Sequence, residues 1–120
     1  METNNQLVII RKIEKYIEYM LTILIKLPRT EKFNIGNEFK QTMYKMLENI
    51  LYINKVEMQK RLYYLNLIDA ELNTQRIMIR IMYKNRWIDE KKYKVSMAHL
   101  YEIGKILGGL IKAYAKNYKK

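Results

Sequence analysis

The chain has 120 residues, 49% of them hydrophobic, enough for one domain with a buried core and too many for a disordered tail. It has no cysteine, which excludes disulfides, zinc ribbons and thiol catalysis, and its one proline and four glycines are too little punctuation for a many-turned β-fold. A net charge of +11 points toward a polyanion or an acidic partner, although AT-rich codons favour Ile, Lys, Tyr and Asn, which make up 55 of the 120 residues.

The opening METNNQLVII lacks the marks of a signal peptide, and no stretch of about 18 residues is free of charge. A soluble, intracellular, helical domain is expected. The charge is uneven, +3 over residues 1–60 and +8 over residues 61–120.

Four apolar periodicities follow in chain order. Ile10, Ile13, Ile17, Met20, Leu24 and Leu27 alternate steps of three and four, the core stripe of a first helix that Pro28 ends. Residues 29–35 read as a loop. Gly36-Asn37 opens a second helix with the stripe Phe39, Met43, Met46, Ile50 and Ile53. After a break near Asn54-Lys55, a third helix runs from about Glu57 to Lys84 with the seam Leu65, Ile68, Leu72, Gln75, Ile79 and Met82. Asp89 is placed to cap a fourth helix, whose stripe is Tyr93, Met97, Leu100, Gly104, Leu107, Ile111 and Tyr114. Short connections make neighbouring helices antiparallel, so the expected fold is all-α, an up-down four-helix bundle in one domain over residues 1–120.

The helices carry more apolar surface than that bundle needs. Ile9, Tyr16 and Ile23 repeat every seven residues beside the first stripe, and Leu67, Ile77, Met78 and Ile81 lie off the third seam. Excess faces of this kind normally meet another subunit, so self-association is expected, a wide core face with scattered surface apolar residues being the plainer account.

Catalysis is not expected. His99 is the single histidine, which precludes histidine-based metal clusters, and no phosphate-cradling glycine loop is present. Ser96, the sole serine, lacks nucleophile-elbow glycines, and Asp69 and Glu71 point to different sides of a helix. No cofactor and no metal are called for. Gln75 either fixes register through a hydrogen bond or lies on a slightly rotated, exposed face; the pattern leaves both open.

The basic residues are the better lead. Arg76, Arg80 and Lys84 follow at successive helical turns with no acid three or four positions away, and Arg86, Lys91, Lys92 and Lys94 extend the charge through the next turn. Like charges at that spacing repel by a few tenths of a kcal/mol per pair, and phosphate is one candidate to offset this, a solvated lysine-rich face being the plainer account. Lys112, Lys116, Lys119 and Lys120 sit where cations complement a helix dipole. Trp87 reads as an anchor for the turn, and no tyrosine is assigned to RNA. Gly104, Gly108 and Gly109 fall inside a helix, where each costs about 1 kcal/mol relative to alanine, so close packing within the bundle or between subunits is expected there.

The run Glu102-Ile103-Gly104-Lys105-Ile106-Leu107-Gly108-Gly109-Leu110-Ile111-Lys112 resembles the E-I-G-[RK]-x-L-G-G-W-[IL]-K signature of Avd, the accessory variability determinant of diversity-generating retroelements. Leu27-Pro28-Arg29-Thr30-Glu31-Lys32-Phe33-Asn34-Ile35-Gly36 is similar to that family's P-[KR]-x-E-[RK]-F-x-[LI]-G loop. The likeness spans nearly the whole chain. It departs at Leu110, where the family usually has tryptophan, and at Ile81-Met82, where Leu-Ala is common. Bundles encoded in intervening sequences of bacterial large-subunit ribosomal RNA genes are similar in fold and differ most from this chain in the third helix.

The resemblance implies a non-enzymatic, cytoplasmic prokaryotic accessory that forms a homopentameric barrel. It would bind the retroelement reverse transcriptase and template-repeat RNA, or its cDNA or RNA–DNA hybrid, and support mutagenic cDNA synthesis. Arg76, Arg80, Lys84, Arg86, Lys91, Lys92 and Lys94 would then contribute to the anion-binding surface. An RNA-binding bundle without a reverse transcriptase, or a purely structural oligomer, is the alternative.

Overall fold

The computed structural model describes residues 4–118, with side chains described over residues 6–116; Lys119 and Lys120 of the basic C-terminal group lie outside them. In chain order the elements are α1 (Asn4–Leu24), a one-turn α2 (Arg29–Lys32), α3 (Ile35–Tyr52), a 3-10 turn (Ile53–Lys55), α4 (Met58–Lys84) and α5 (Glu90–Tyr118). There is no strand among the described residues.

The first connection is more helical than a loop. The end of α1 tightens, the Lys26 N–H donating to the Ile23 carbonyl at 3.0 Å. Pro28 cannot extend that ladder, but its carbonyl accepts the Lys32 N–H at 2.8 Å and opens α2. The expected loop over residues 29–35 therefore contains a helical turn, and α3 begins at Ile35 rather than at Gly36-Asn37. Asp89 caps α5 as its position suggests: Oδ1 accepts the Lys92 N–H at 2.8 Å.

The four long helices form an elongated antiparallel bundle of 50 × 23 × 21 Å. Helices α1 and α4 each pack beside α3 and α5, so they lie diagonally across the core. Cross-helix bonds give the directions. Gln6 meets Tyr114 and Lys12 meets Glu102, so α1 and α5 run oppositely. The pairs Asn49–Glu71 and Gln75–Met46 do the same for α3 and α4.

The seam of α4 is buried as expected, all six of Leu65, Ile68, Leu72, Gln75, Ile79 and Met82, and so is the stripe Phe39 to Ile53. Two other faces differ from expectation. In α1, Ile9, Tyr16 and Ile23 are core residues, whereas Ile10 is half-buried. They are not an excess face: α1 fills the angle between α3 and α5, which needs a wider apolar stripe than one seam. In α5 the core line is Ser96, Leu100, Ile103, Leu107 and Leu110, while Tyr93, Met97, Gly104, Ile111 and Tyr114 are half-buried at its border. Serine can enter that line because its hydroxyl donates to the Lys92 carbonyl at 2.6 Å, which satisfies it within its own helix. Among the described residues, no helix is long and apolar enough to cross a membrane.

Candidate nucleic-acid interface

The seven cations singled out by spacing do not share one environment. Arg76 is half-buried in the seam between α4 and α5. Its Nη1 donates to Asn73 Oδ1 at 2.9 Å and its Nη2 lies 3.5 Å from the Leu100 carbonyl. The guanidinium occupies the space that a side chain at Gly104 would need, since a Cβ there would come within 2.9 Å of Nη2. Close packing at Gly104 is thus explained inside the bundle, by an arginine rather than by a second backbone. Nothing lies within 4 Å of a Cβ built on Gly108 or Gly109, so the bundle itself supplies no close neighbour at either.

Arg80, Lys84, Arg86, Lys91 and Lys94 are exposed and Lys92 is half-buried. Three of these, Lys84, Arg86 and Lys92, come together on a cleft of about 530 Å³ at the α4–α5 turn. Aromatic groups accompany them there. Tyr83 lies flat on Tyr93, with ring centroids 4.4 Å apart and 14° between planes, and Trp87 lines the cleft while packing against the core. Trp87 therefore anchors the turn, as its position suggests, and also presents part of its ring outward. Lys94 faces Glu90 at 3.8 Å, a solvent-exposed i,i+4 pair of small energetic weight.

A second cleft, of about 310 Å³, lies between α1 and α5 and is lined by Lys12, Lys15, Val95, Ala98, His99 and Glu102. Its chemistry is largely closed on itself. Lys12 Nζ bonds Glu102 Oε2 at 2.8 Å, which holds that carboxyl below its usual range. His99 packs against Tyr19 and Tyr16 with centroids 5.4 and 6.0 Å away, and burial lowers its pKa. Periodicity alone gave no sign of this aromatic group, because its members sit on two helices far apart in the chain. No group of three or more His, Asp or Glu residues that could hold a metal ion occurs among the described residues.

Fold and surface together define a small basic four-helix-bundle protein in which three cations without an ion pair among the described residues share one interhelical turn with aromatic rings. The bAvd-like family model matches residues 7–114, and the chain belongs to that family. The match covers both segments that carry the resemblance, residues 27–36 and 102–112. Among curated proteins no match was found. Membership associates the chain with an accessory role in a diversity-generating retroelement.

Proposed function

We propose that the protein is a non-enzymatic accessory of a diversity-generating retroelement, binding its reverse transcriptase and template-repeat RNA in support of mutagenic cDNA synthesis. The observation that carries this reading is the gathering of Lys84, Arg86 and Lys92 on one cleft without an ion pair among the described residues, in a chain of the bAvd-like family. Paired cations would hold structure; unpaired ones beside aromatic rings suit a polyanion with exposed bases. The chemistry belongs to the reverse transcriptase, and this chain supplies surface.

The assembly is a homo-oligomer, a pentamer by family resemblance. Support comes from the outer face of α4, where exposed Tyr63, Leu67, Ala70, Thr74, Ile77 and Ile81 follow four-three spacing with no charge among them. The open backbone at Gly108 and Gly109 gives a second place where a neighbouring chain could approach closely.

A tagged pull-down from native cells, with proteins and RNA both identified, tests the functional reading. Recovery of a reverse transcriptase with one discrete non-coding RNA is the expected result. Ribosomal RNA alone would transfer the protein to the intervening-sequence bundles, and recovery of neither partner would leave the family fold without the family role.

A further inference from the structure

Helix α4 ends in a Schellman motif, with the Trp87 N–H donating to the Met82 carbonyl at 2.9 Å and the Arg86 N–H to the Tyr83 carbonyl at 2.9 Å. The residue that turns the chain out of the helix is Arg86, whose φ is 61°. Glycine is the usual occupant of this left-handed position, because a Cβ there crowds the next carbonyl oxygen. No other non-glycine residue among those described has a positive φ. The exposed Arg86 side chain, moreover, makes no ion pair or hydrogen bond among the described residues that would explain an arginine at this point. Strained positions of this kind are held by the structure around them, here the two bonds of the turn, and cluster at functional sites.

The surroundings indicate what that contact is. Arg86 borders the cleft of about 530 Å³, within the roughly 300–1,000 Å³ typical of small-molecule sites. Trp87 and Tyr83 give it aromatic walls, and Lys84 and Lys92 add charge at its rim. Two carboxylates, Asp89 and Glu90, also line it. Asp89 accepts an amide of α5 at 2.8 Å, and Glu90 faces Lys94 at 3.8 Å. Three cations against these two carboxylates, with Lys94 facing one of them, leave the cleft net positive. A flat ring beside free cations accommodates a base by stacking and its phosphate by charge, and within a duplex both faces of an interior base are covered by its neighbours, which leaves unpaired bases to stack.

We infer that the α4–α5 turn binds one unpaired nucleotide of an RNA strand, its base against Trp87 and its phosphate held by Arg86. The assignment rests on the nucleic-acid reading above and narrows it to one cleft. On this reading, Arg86 stands at a left-handed position because its side-chain charge serves the ligand.

Trp87 is the sole tryptophan, so its fluorescence reports on this cleft alone. The full-length protein is titrated with an unstructured single-stranded RNA of about ten nucleotides and with a blunt duplex of equal length, following Trp87 emission and RNA anisotropy together. Single strands quench Trp87 to saturation, whereas duplex binds by charge and leaves emission unchanged. Arg86→Gly binds single strands about tenfold more weakly yet melts roughly 2–5 °C higher, and Arg86→Lys keeps most of the affinity. Single-strand binding without a change in Trp87 emission, equal quenching by duplex, or undiminished affinity of Arg86→Gly each overturns the cleft and spares the nucleic-acid reading. Failure of both RNAs to bind at low salt overturns the two together.

Discussion

Tyr16 and Gln75 meet across the diagonal of the bundle, where the tyrosine hydroxyl donates to Gln75 Oε1 at 2.7 Å with both residues buried. Gln75 Nε2 donates in turn to the Glu71 carbonyl at 3.2 Å. The polar break in the α4 seam is therefore a register device, the reading that spacing alone left open beside an exposed glutamine. Gln75→Leu strands a buried hydroxyl and should cost about 1–3 kcal/mol in urea unfolding. Tyr16→Phe leaves the buried Gln75 Oε1 without the hydroxyl that donates to it and should cost about 1–3 kcal/mol as well, and the double variant should recover part of the loss in a double-mutant cycle. At His99 burial lowers the pKa, with Glu102 opposing and Lys12 reinforcing that shift. A depressed imidazole pKa means that the unfolded chain binds the extra proton first. Stability is then lost as pH falls below the ordinary histidine value of about 6.5, and the loss levels off below the folded value. Glu71, whose pKa burial raises, acts in the opposite sense, so the measurement is the difference between the parent and His99→Gln in unfolding free energy across that window. Equal slopes would remove His99 as the cause.

At the level of the helices, α5 shows how a wide apolar face misleads a periodicity reading. Leu100 and Leu107 belong to both the expected and the observed stripe, but the core lies on the side of Ser96, Ile103 and Leu110. A serine reads as polar in one dimension, and only its bond to Lys92 makes it a core residue. The same helix separates its glycines. Gly108→Ala and Gly109→Ala place a methyl in open space and should each stabilise an isolated bundle by about 0.5–1 kcal/mol through helix propensity. Gly104→Ala should be close to neutral, since the displaced Arg76 guanidinium gives back what propensity gains. Denaturant unfolding at low protein concentration checks all three. Asp89→Ala at the head of α5 should cost about 1 kcal/mol and be largely rescued by Asp89→Asn, which can still accept from the Lys92 amide.

At the scale of the whole molecule, charge and assembly are each tested by one variant. Reversing Arg80, Lys84, Arg86, Lys91 and Lys92 while sparing Arg76 removes exposed or rim cations without opening the α4–α5 seam. RNA affinity should fall, and the slope of log affinity against log salt should flatten by about one for each phosphate that is no longer neutralised. An unchanged slope would assign the excess charge to composition. Of the apolar residues singled out for self-association, Ile9, Tyr16 and Ile23 are core, and Leu67, Ile77 and Ile81 of α4 are exposed. The variant Ile77→Lys with Ile81→Lys should reduce the light-scattering mass toward one chain while leaving helicity unchanged, since neither side chain contributes to the core.

Fold class, helix order and the α3 and α4 stripes were readable from residue order alone, because a helix repeats its buried face every three to four residues and proline and a capping aspartate mark its ends. The family was legible too, in two short segments. What tertiary packing decided are relations between residues that are distant in sequence. It turned Arg76 inward over Gly104, joined Tyr16 to Gln75, and brought Lys84, Arg86 and Lys92 to one cleft with Tyr83 and Trp87. Charge spacing treated the seven cations alike, since periodicity describes a single helix. Which of them remain free depends on the second helix packed against it.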